Sequence, residues 1–407
     1  MYDRFRSFDR ISAFKEATVR KVQPKRLSTY AAFLIFNTAF FMMDTVSSYF
    51  SIYLNDLQFT KTMIGAVTSV SALAAMAVQP VFGAMMDRSR SRTRVLQILI
   101  LLTAVLYPLL LLNSSFAYIL VMYTVYFIFR RLQPALNTTL SVEFAEQHGR
   151  YYGPIRMMGA VGYTLMMTLI SYIAGIEGGV VRTFWVYSII CLGNILILFF
   201  LPSMPGHNLN RGRQRISPFS LLKNRGVILL ILYHVLMASA NGIGHTYFPI
   251  FATHDMGSSN ALYGVMVTVG SLLEIPFLFL ADRIIRRIGA KKTVVILGLL
   301  TAFRWGNAYL AVNAGQLFIT QGFNFVNILE GVVIAVLISR LVQPELKTVA
   351  QTLVATVQGV VGILVSSMLG GLLADYFGIR ILFLISAIVA AGTSVLFGFL
   401  LRRNQAL

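Results

Sequence analysis

Long apolar stretches separated by a few polar residues recur from residue 28 to residue 401 of this chain. About 20 such residues carry a helix across a bilayer, where every backbone N–H and C=O must be satisfied within the protein. The pattern predicts twelve spans. Six cover 28–54, 62–86, 95–112, 116–141, 153–175 and 183–202, and six cover 227–252, 261–281, 293–312, 316–340, 349–374 and 380–401. The longest interior polar segment, "PSMPGHNLNRGRQRISPFSLLKNRG", separates the two sets. The expected fold is therefore an all-α integral membrane protein made of two six-helix bundles. Residues 1–27 form an N-terminal segment, 28–202 the first bundle, 203–226 a linker, 227–401 the second bundle and 402–407 a tail. A chain that is 57% hydrophobic and 12% charged, with mean hydropathy +0.73, fits no ordinary soluble class.

The formal charge of +19 raises the question of a nucleic-acid partner, and the positions of the basic residues answer it. Arg4, Arg6, Arg10, Lys15, Arg20, Lys21, Lys25 and Arg26 precede the first span, while Arg211, Arg213, Arg215, Lys223 and Arg225 lie in the middle linker. Arg88 to Arg94 and Arg283 to Lys292 occupy loops on that same side, whereas the opposite loops hold little beyond Lys61, Arg182 and Arg380. Such an asymmetry is the positive-inside pattern, with both termini in the cytoplasm of a multi-pass cell-membrane protein. The charge is thus read as topology and contact with anionic membrane lipids, with no nucleic acid as partner. Phe5, Phe8, Ile11 and Phe14 recur at helical spacing, which fits a helix on the inner membrane surface or a frayed tail. The single cysteine, Cys191, excludes an intrachain disulfide.

An internal repeat supports the division. "FGAMMDRSRSRTRVLQIL" after the second span is echoed by "FLADRIIRRIGAKKTVVIL" after the eighth, and "GAVGYTLMMTLISYIAG" in the fifth by "GVVGILVSSMLGGLLAD" in the eleventh. Parallel six-helix repeats with a mid-depth site between them are an architecture of secondary transporters.

Several charges fall at one depth. At 1.5 Å per residue, Asp44 lies about 21 Å into the first span, Arg130 and Arg131 about 21 to 22 Å into the fourth, Glu274 about 20 Å into the eighth, Arg304 about 17 Å into the ninth and Glu330 about 21 Å into the tenth. An ionised group at the bilayer centre costs roughly 2.5 to 3.5 kcal/mol, so a set at one level implies mutual pairing or a wet cavity. Glu274, Arg304 and Glu330 suit proton coupling, in which an acid in a low-dielectric pocket takes up a proton that a guanidinium displaces. A static ion-pair network between three helices is the alternative. Asp44 fits a second proton site, a contact for a cationic solute, or the partner of Arg130 or Arg131. His234 and His245 are about 16 Å apart along one helix, too far to ligate a metal jointly, and His245 is expected to line a cavity while His234 packs. Asn37, Gln321, Asn324 and Asn327 add uncharged polar groups to such a cavity or bond across helices.

The six-plus-six pattern, together with Gly83, Asp87, Arg88 and the corresponding Asp282 and Arg283, resembles the major facilitator superfamily. "YGPIRMMGAVGY", "FSIYLNDL" and "YGVMVTVGSLLEIPFLFLADRIIRRIGAKKTVVILGLLTAFRW" are similar to the lactose permease branch of oligosaccharide and nucleoside proton symporters. The resemblance implies an arginine essential to coupling at Arg304, a substrate-binding arginine at Arg156 and a stacking aromatic at Tyr163. Asn137 stands where the branch has the glutamate that partners the substrate-binding arginine. The branch carries coupling carboxylates on helices eight and ten, and Glu274 falls about one turn, Glu330 about two residues, beyond them. Gly83, Asp87, Arg88, Asp282 and Arg283 would form conformational gates, with Arg90 in place of a usual glycine.

The expected activity is proton-coupled symport of a small polar solute, a sugar or nucleoside, by alternating access. Substrate contacts would come from Arg156, Tyr163, Asn137, Arg130, His245 and Asn327, and coupling from Glu330, Glu274, Arg304 and Asp44. The expected partners are the solute, protons and lipid, the protein acts as a monomer, and it needs no cofactor or metal beyond a proton gradient. Two alternatives remain at this point: a proton-antiport exporter of amphipathic drugs, and uptake of a carboxylate-bearing solute. No HExxH, GxSxG or Walker sequence points to an enzyme.

Overall fold

A computed structural model describes residues 26–87, 89–204, 224–342, 350, 354, 362 and 364–403. The first span is α1 (Arg26–Met42), a tighter 3-10 stretch over Met43–Tyr49, and α2 (Phe50–Asp56). Spans two to six are α3 (Lys61–Asp87), α4 (Arg92–Leu109), α5 (Phe116–Gln147), α6 (Tyr152–Gly175) and α7 (Gly179–Leu198). The second half begins with α8 (Arg225–Ile250), α9 (Asn260–Ile288) and α10 (Ala290–Leu310). Its tenth span is α11 (Ala314–Gly322) followed by α12 (Phe325–Leu341); α13 (Gly370–Phe377) ends the eleventh, and α14 (Ile379–Arg403) is the twelfth.

Boundaries differ from the hydropathic expectation where polar residues extend a helix beyond the apolar run. α5 continues to Gln147 rather than 141, since Glu143 there is paired with Arg92 at the start of α4. α7 starts at Gly179 rather than 183, because Gly178 turns the chain with φ of 66°. The tenth span, expected as one helix, is broken at Phe323 and Asn324. Ten helical segments among the described residues are apolar and long enough to cross a membrane. α5 is not among them, its hydropathy reduced by Arg130, Arg131 and Gln133. The expected surface helix before residue 26 and most of the middle linker lie outside the described residues.

The two halves touch at the end remote from the basic loops. α6 meets α9 there: Thr168 Oγ1 is 3.4 Å from Thr268 Oγ1, Asn260 Nδ2 donates to Ala174 O at 3.2 Å, and Tyr49 donates to Asn260 O at 3.2 Å. The contact is close because Gly264 has no side chain; a Cβ would lie 2.0 Å from Ser171 Cβ. A related contact joins α3 to the eleventh span, where a Cβ on Gly65 would lie 2.0 Å from Ser367 O. "IGAVTSV" at Gly65 and "YGVMVTV" at Gly264 occupy matching places in the two repeats, so spans two and eleven and spans five and eight make equivalent pairs.

Polar groups fasten the same end. Asp375 at the end of α13 accepts the backbone N–H groups of Lys61 and Thr62, both at 2.8 Å, and so caps the N-terminus of α3 from the other half. Tyr247 donates to Lys61 O across the halves at 3.3 Å, and His254 Nε2 lies 3.1 Å from Asp56 Oδ1. From this contact the lining of a chamber between the halves runs from Tyr263 toward the basic end, reaching Arg156 and Leu278.

Gly65→Leu should prevent closure of the remote end, since the blocking atom is backbone; overpacking of this kind costs about 1–3 kcal/mol. Spin labels at exposed positions 58 and 376 report it: the expected result is a new population with a longer separation, and an unchanged distance distribution contradicts the contact.

Candidate functional site

The site is a chamber of about 430 Å³ between the halves, within the range of small-molecule pockets. α6 lines it with Arg156, Ala160 and Tyr163, spaced three to four residues apart, so that one helix face is presented. α9 supplies Tyr263, Val267, Ser271, Glu274 and Leu278 by the same spacing, over about 22 Å of helix. His245 and Phe248 come from α8, Arg304 and Trp305 from α10, Gln321 and Asn324 from the broken tenth span, and Ser47 and Ser48 from the 3-10 stretch.

The break in the tenth span shapes the charged wall. A continuous helix would have Asn324 N–H donate to Thr320 O; here it donates to Gln321 O at 2.9 Å. The released Thr320 carbonyl accepts from Arg304 Nε at 3.0 Å. Asn324 in turn donates its side-chain amide to Glu274. Irregular backbone at this depth is tolerated because it faces a cavity and its groups find partners. Trp305 lies beneath the Arg304 guanidinium, 4.5 Å from it, and is held by Asn241 at 3.1 Å and by stacking on Phe383.

Arg156 is exposed to the chamber, with its guanidinium 4.4 Å from the Phe41 ring centre. Gly159 and Gly162 serve packing: a Cβ on either would strike Phe41 or Thr38 of α1, at 2.4 and 2.0 Å. Tyr163 sits two turns above Arg156, with its hydroxyl 3.5 Å from Ser48 Oγ. His245 faces the chamber as expected.

Five expected members lie elsewhere. Glu330 does not join Glu274 and Arg304; it is 3% exposed and meets His234 Nδ1 at 3.2 Å inside the second bundle. A shared depth does not imply a shared direction, and the rotation of α12 aims Glu330 at α8. His234 consequently forms a polar pair rather than simply packing. Asp44 bonds Arg130, which is 8% exposed and also donates to Gln133 Oε1 at 3.1 Å, so this pair closes on itself in the first bundle. Arg131 is exposed on the neighbouring face. Asn137 is buried, donating to Asn37 Oδ1 at 3.1 Å, and that cluster includes Ser141. Asn327 donates to Asn324 Oδ1 at 3.2 Å behind the chamber wall. Of the gate residues, Arg88 lies outside the described residues, as do the surroundings of Gly83 and the side chains of Asp87 and Asp282; Arg283 is exposed.

A family model described as "MFS_1 like family" matches residues 28–385. The chain belongs to this family. Within it, the protein is 24% identical to the maltose permease of Geobacillus stearothermophilus over 275 residues, covering 67% of this chain and 68% of that one. It is 26% identical to the raffinose permease of Escherichia coli over 309 residues, covering 71% and 72%. Its fold matches the crystal structure of the nucleoside transporter NupG with a TM-score of 0.78 and 16% identity, over 92% of this chain and 98% of that one. The resemblance to the major facilitator superfamily, and the all-α fold it implied, are thereby met: this is a multi-pass membrane transporter whose relatives are permeases and transporters.

Tyr263, Trp305 and the serines at 47 and 48 had no signal beyond composition. Trp305 follows Arg304 directly, and only the geometry shows the ring turned beneath its neighbour's side chain.

The self-contained Asp44 and Arg130 pair predicts a structural phenotype. Asp44→Asn leaves a buried guanidinium without its ion partner and should cost about 1–3 kcal/mol, the partly exposed carboxylate limiting the loss. Asp44→Asn with Arg130→Gln should recover at least half of the fall in thermal midpoint. A double variant no more stable than Asp44→Asn contradicts the pairing.

Proposed function

We propose that the protein is a proton-coupled symporter that takes up a sugar or nucleoside by alternating access, with the solute held in the chamber between the halves. The observation that carries the reading is that Arg156 and Tyr163 of one half and Glu274 and Arg304 of the other border one cavity, which extends from the contacts at the remote end toward the basic loops. The relatives' names, maltose and raffinose permeases and a nucleoside transporter, support the solute class.

In this reading Glu274 carries the proton. The chamber wall around it bears Arg304 of α10, Arg156 and Tyr163 of α6 and His245 of α8, with Tyr263 about three turns away on its own helix α9. A protonated Glu274 frees the guanidinium groups for solute; an ionised one holds them, and exchange between these states biases the rocking of the bundles. Tyr163 and Trp305 offer aromatic faces to a sugar ring or base, and His245 a neutral donor or acceptor. The paired Asp44 and Arg130, Asn137 and Asn327 act as supports, as does the buried pair of Glu330 with His234 inside the second bundle.

The protein works as a monomer in the cell membrane with both termini cytoplasmic, its basic loops against anionic lipid. It uses a proton gradient and no cofactor or metal.

Proteoliposomes with a trapped pH dye test the proposal with maltose, raffinose and uridine. Inward solute movement should acidify the interior that the dye reports, and Glu274→Gln should lower gradient-driven accumulation at least tenfold, about 1.4 kcal/mol, while retaining solute exchange. Proton movement opposite to the solute, or accumulation unaffected by Glu274→Gln, overturns it.

A further inference from the structure

The Arg304 side chain is incompletely satisfied. It is 4% exposed, Nε is bonded to Thr320 O, and one face rests on Trp305. Its Nη1 nitrogen is buried and has no hydrogen-bond partner among the described residues. A buried charged donor without an acceptor is costly, so one left in place at a cavity wall is suited to an acceptor that arrives from the cavity.

The balance of charge around the chamber agrees. Among the described residues its wall bears two guanidinium groups, Arg156 and Arg304, against one carboxylate, that of Glu274. That carboxylate already accepts from Asn324, and both guanidinium groups lie within its electrostatic reach. When Glu274 takes a proton, two cations face the chamber with no anion to balance them. A neutral sugar would bring hydroxyls to these groups but no countercharge. A carboxylate or phosphate brings both, and its planar or tetrahedral oxygens match the fork of a guanidinium.

We propose that the transported solute is anionic, a sugar or nucleoside carrying a carboxylate or phosphate, whose oxyanion binds Arg304 through the unpartnered Nη1 and is shared with Arg156. This deepens the transport reading of the same chamber and rests on it. The anion and ionised Glu274 compete for the same cations, which makes the proton a condition of solute binding and leaves a monoanion and its proton moving without net charge. The ring of the solute would lie toward Tyr163, two turns along α6 from Arg156.

Trp305 provides a local reporter. The chain has two tryptophans, and Trp185 lies exposed on the outer surface of the first bundle, so Trp185→Phe leaves the emission of Trp305 alone. The purified protein is titrated with galacturonate against galactose, with a hexose phosphate against its hexose, and with uridine monophosphate against uridine. At least one acid should change Trp305 emission at about tenfold lower concentration than its neutral parent, equivalent to ~1.4 kcal/mol. The first and second pairs separate carboxylate from phosphate recognition. Arg304→Gln and, independently, Arg156→Gln, whose exposed side chain carries little of the fold, should each reduce that preference to about threefold or less. Equal or better response to the neutral parents, or no response to any acid, overturns the anionic assignment. A response to neutral parents alone leaves the symport reading standing. An acid response without proton-coupled flux in proteoliposomes removes the symport reading and leaves the anion site.

Discussion

The arrangement depends on how a guanidinium is kept inside a membrane protein. An unpaired charge at the bilayer centre costs roughly 2.5 to 3.5 kcal/mol or more, so Arg304 requires partners and a polar chamber. The break at Phe323 and Asn324 meets both needs. It releases the Thr320 carbonyl to Arg304, and it turns the Asn324 amide toward Glu274. The same irregularity that weakens the tenth helix thereby orders both charges on the second half's wall, with Trp305 as a rigid base. The first half contributes Arg156, whose guanidinium lies against the Phe41 ring.

The contacts between the halves explain how such a wall can move. They rest on two equivalent helix crossings, at Gly65 and at Gly264, and on polar links such as the Asp375 cap and the His254 and Asp56 pair. Glycine permits close approach without interlocking side chains, so separation there exposes little that must be repacked. Asp375 differs from the rest, since it caps a helix of the opposite half with two backbone bonds, and its release would leave two N–H groups to be met by water.

Much of this was legible in the sequence. Spans follow from the length of apolar runs, and the two-half architecture from the echo of "FGAMMDRSRSRTRVLQIL" by "FLADRIIRRIGAKKTVVIL". Arg156 and Tyr163 share a face because seven residues make two turns, and that too can be read. Depth was legible for the charges, but direction was not. Glu274 and Glu330 lie at similar levels, yet one faces the chamber and the other His234, since small rotations of long helices decide which neighbour a side chain meets. The helix break was hidden because "TQGFNF" contains only one glycine, a residue common in intact membrane helices. Asp44 was readable as a partner of Arg130 or Arg131, and packing selects Arg130, whose helix face turns toward α1.

The central claim is that residues of both halves border one water-filled chamber reached from the basic-loop side. Single cysteines at Ala160 and Leu278, introduced with Cys191→Ser, test it when a charged, membrane-impermeant thiol reagent is applied to vesicles of each orientation. Both positions should react when the basic loops face the reagent and remain unmodified when they do not. Labelling of both only from the opposite side, or of neither from the basic side, would contradict the account.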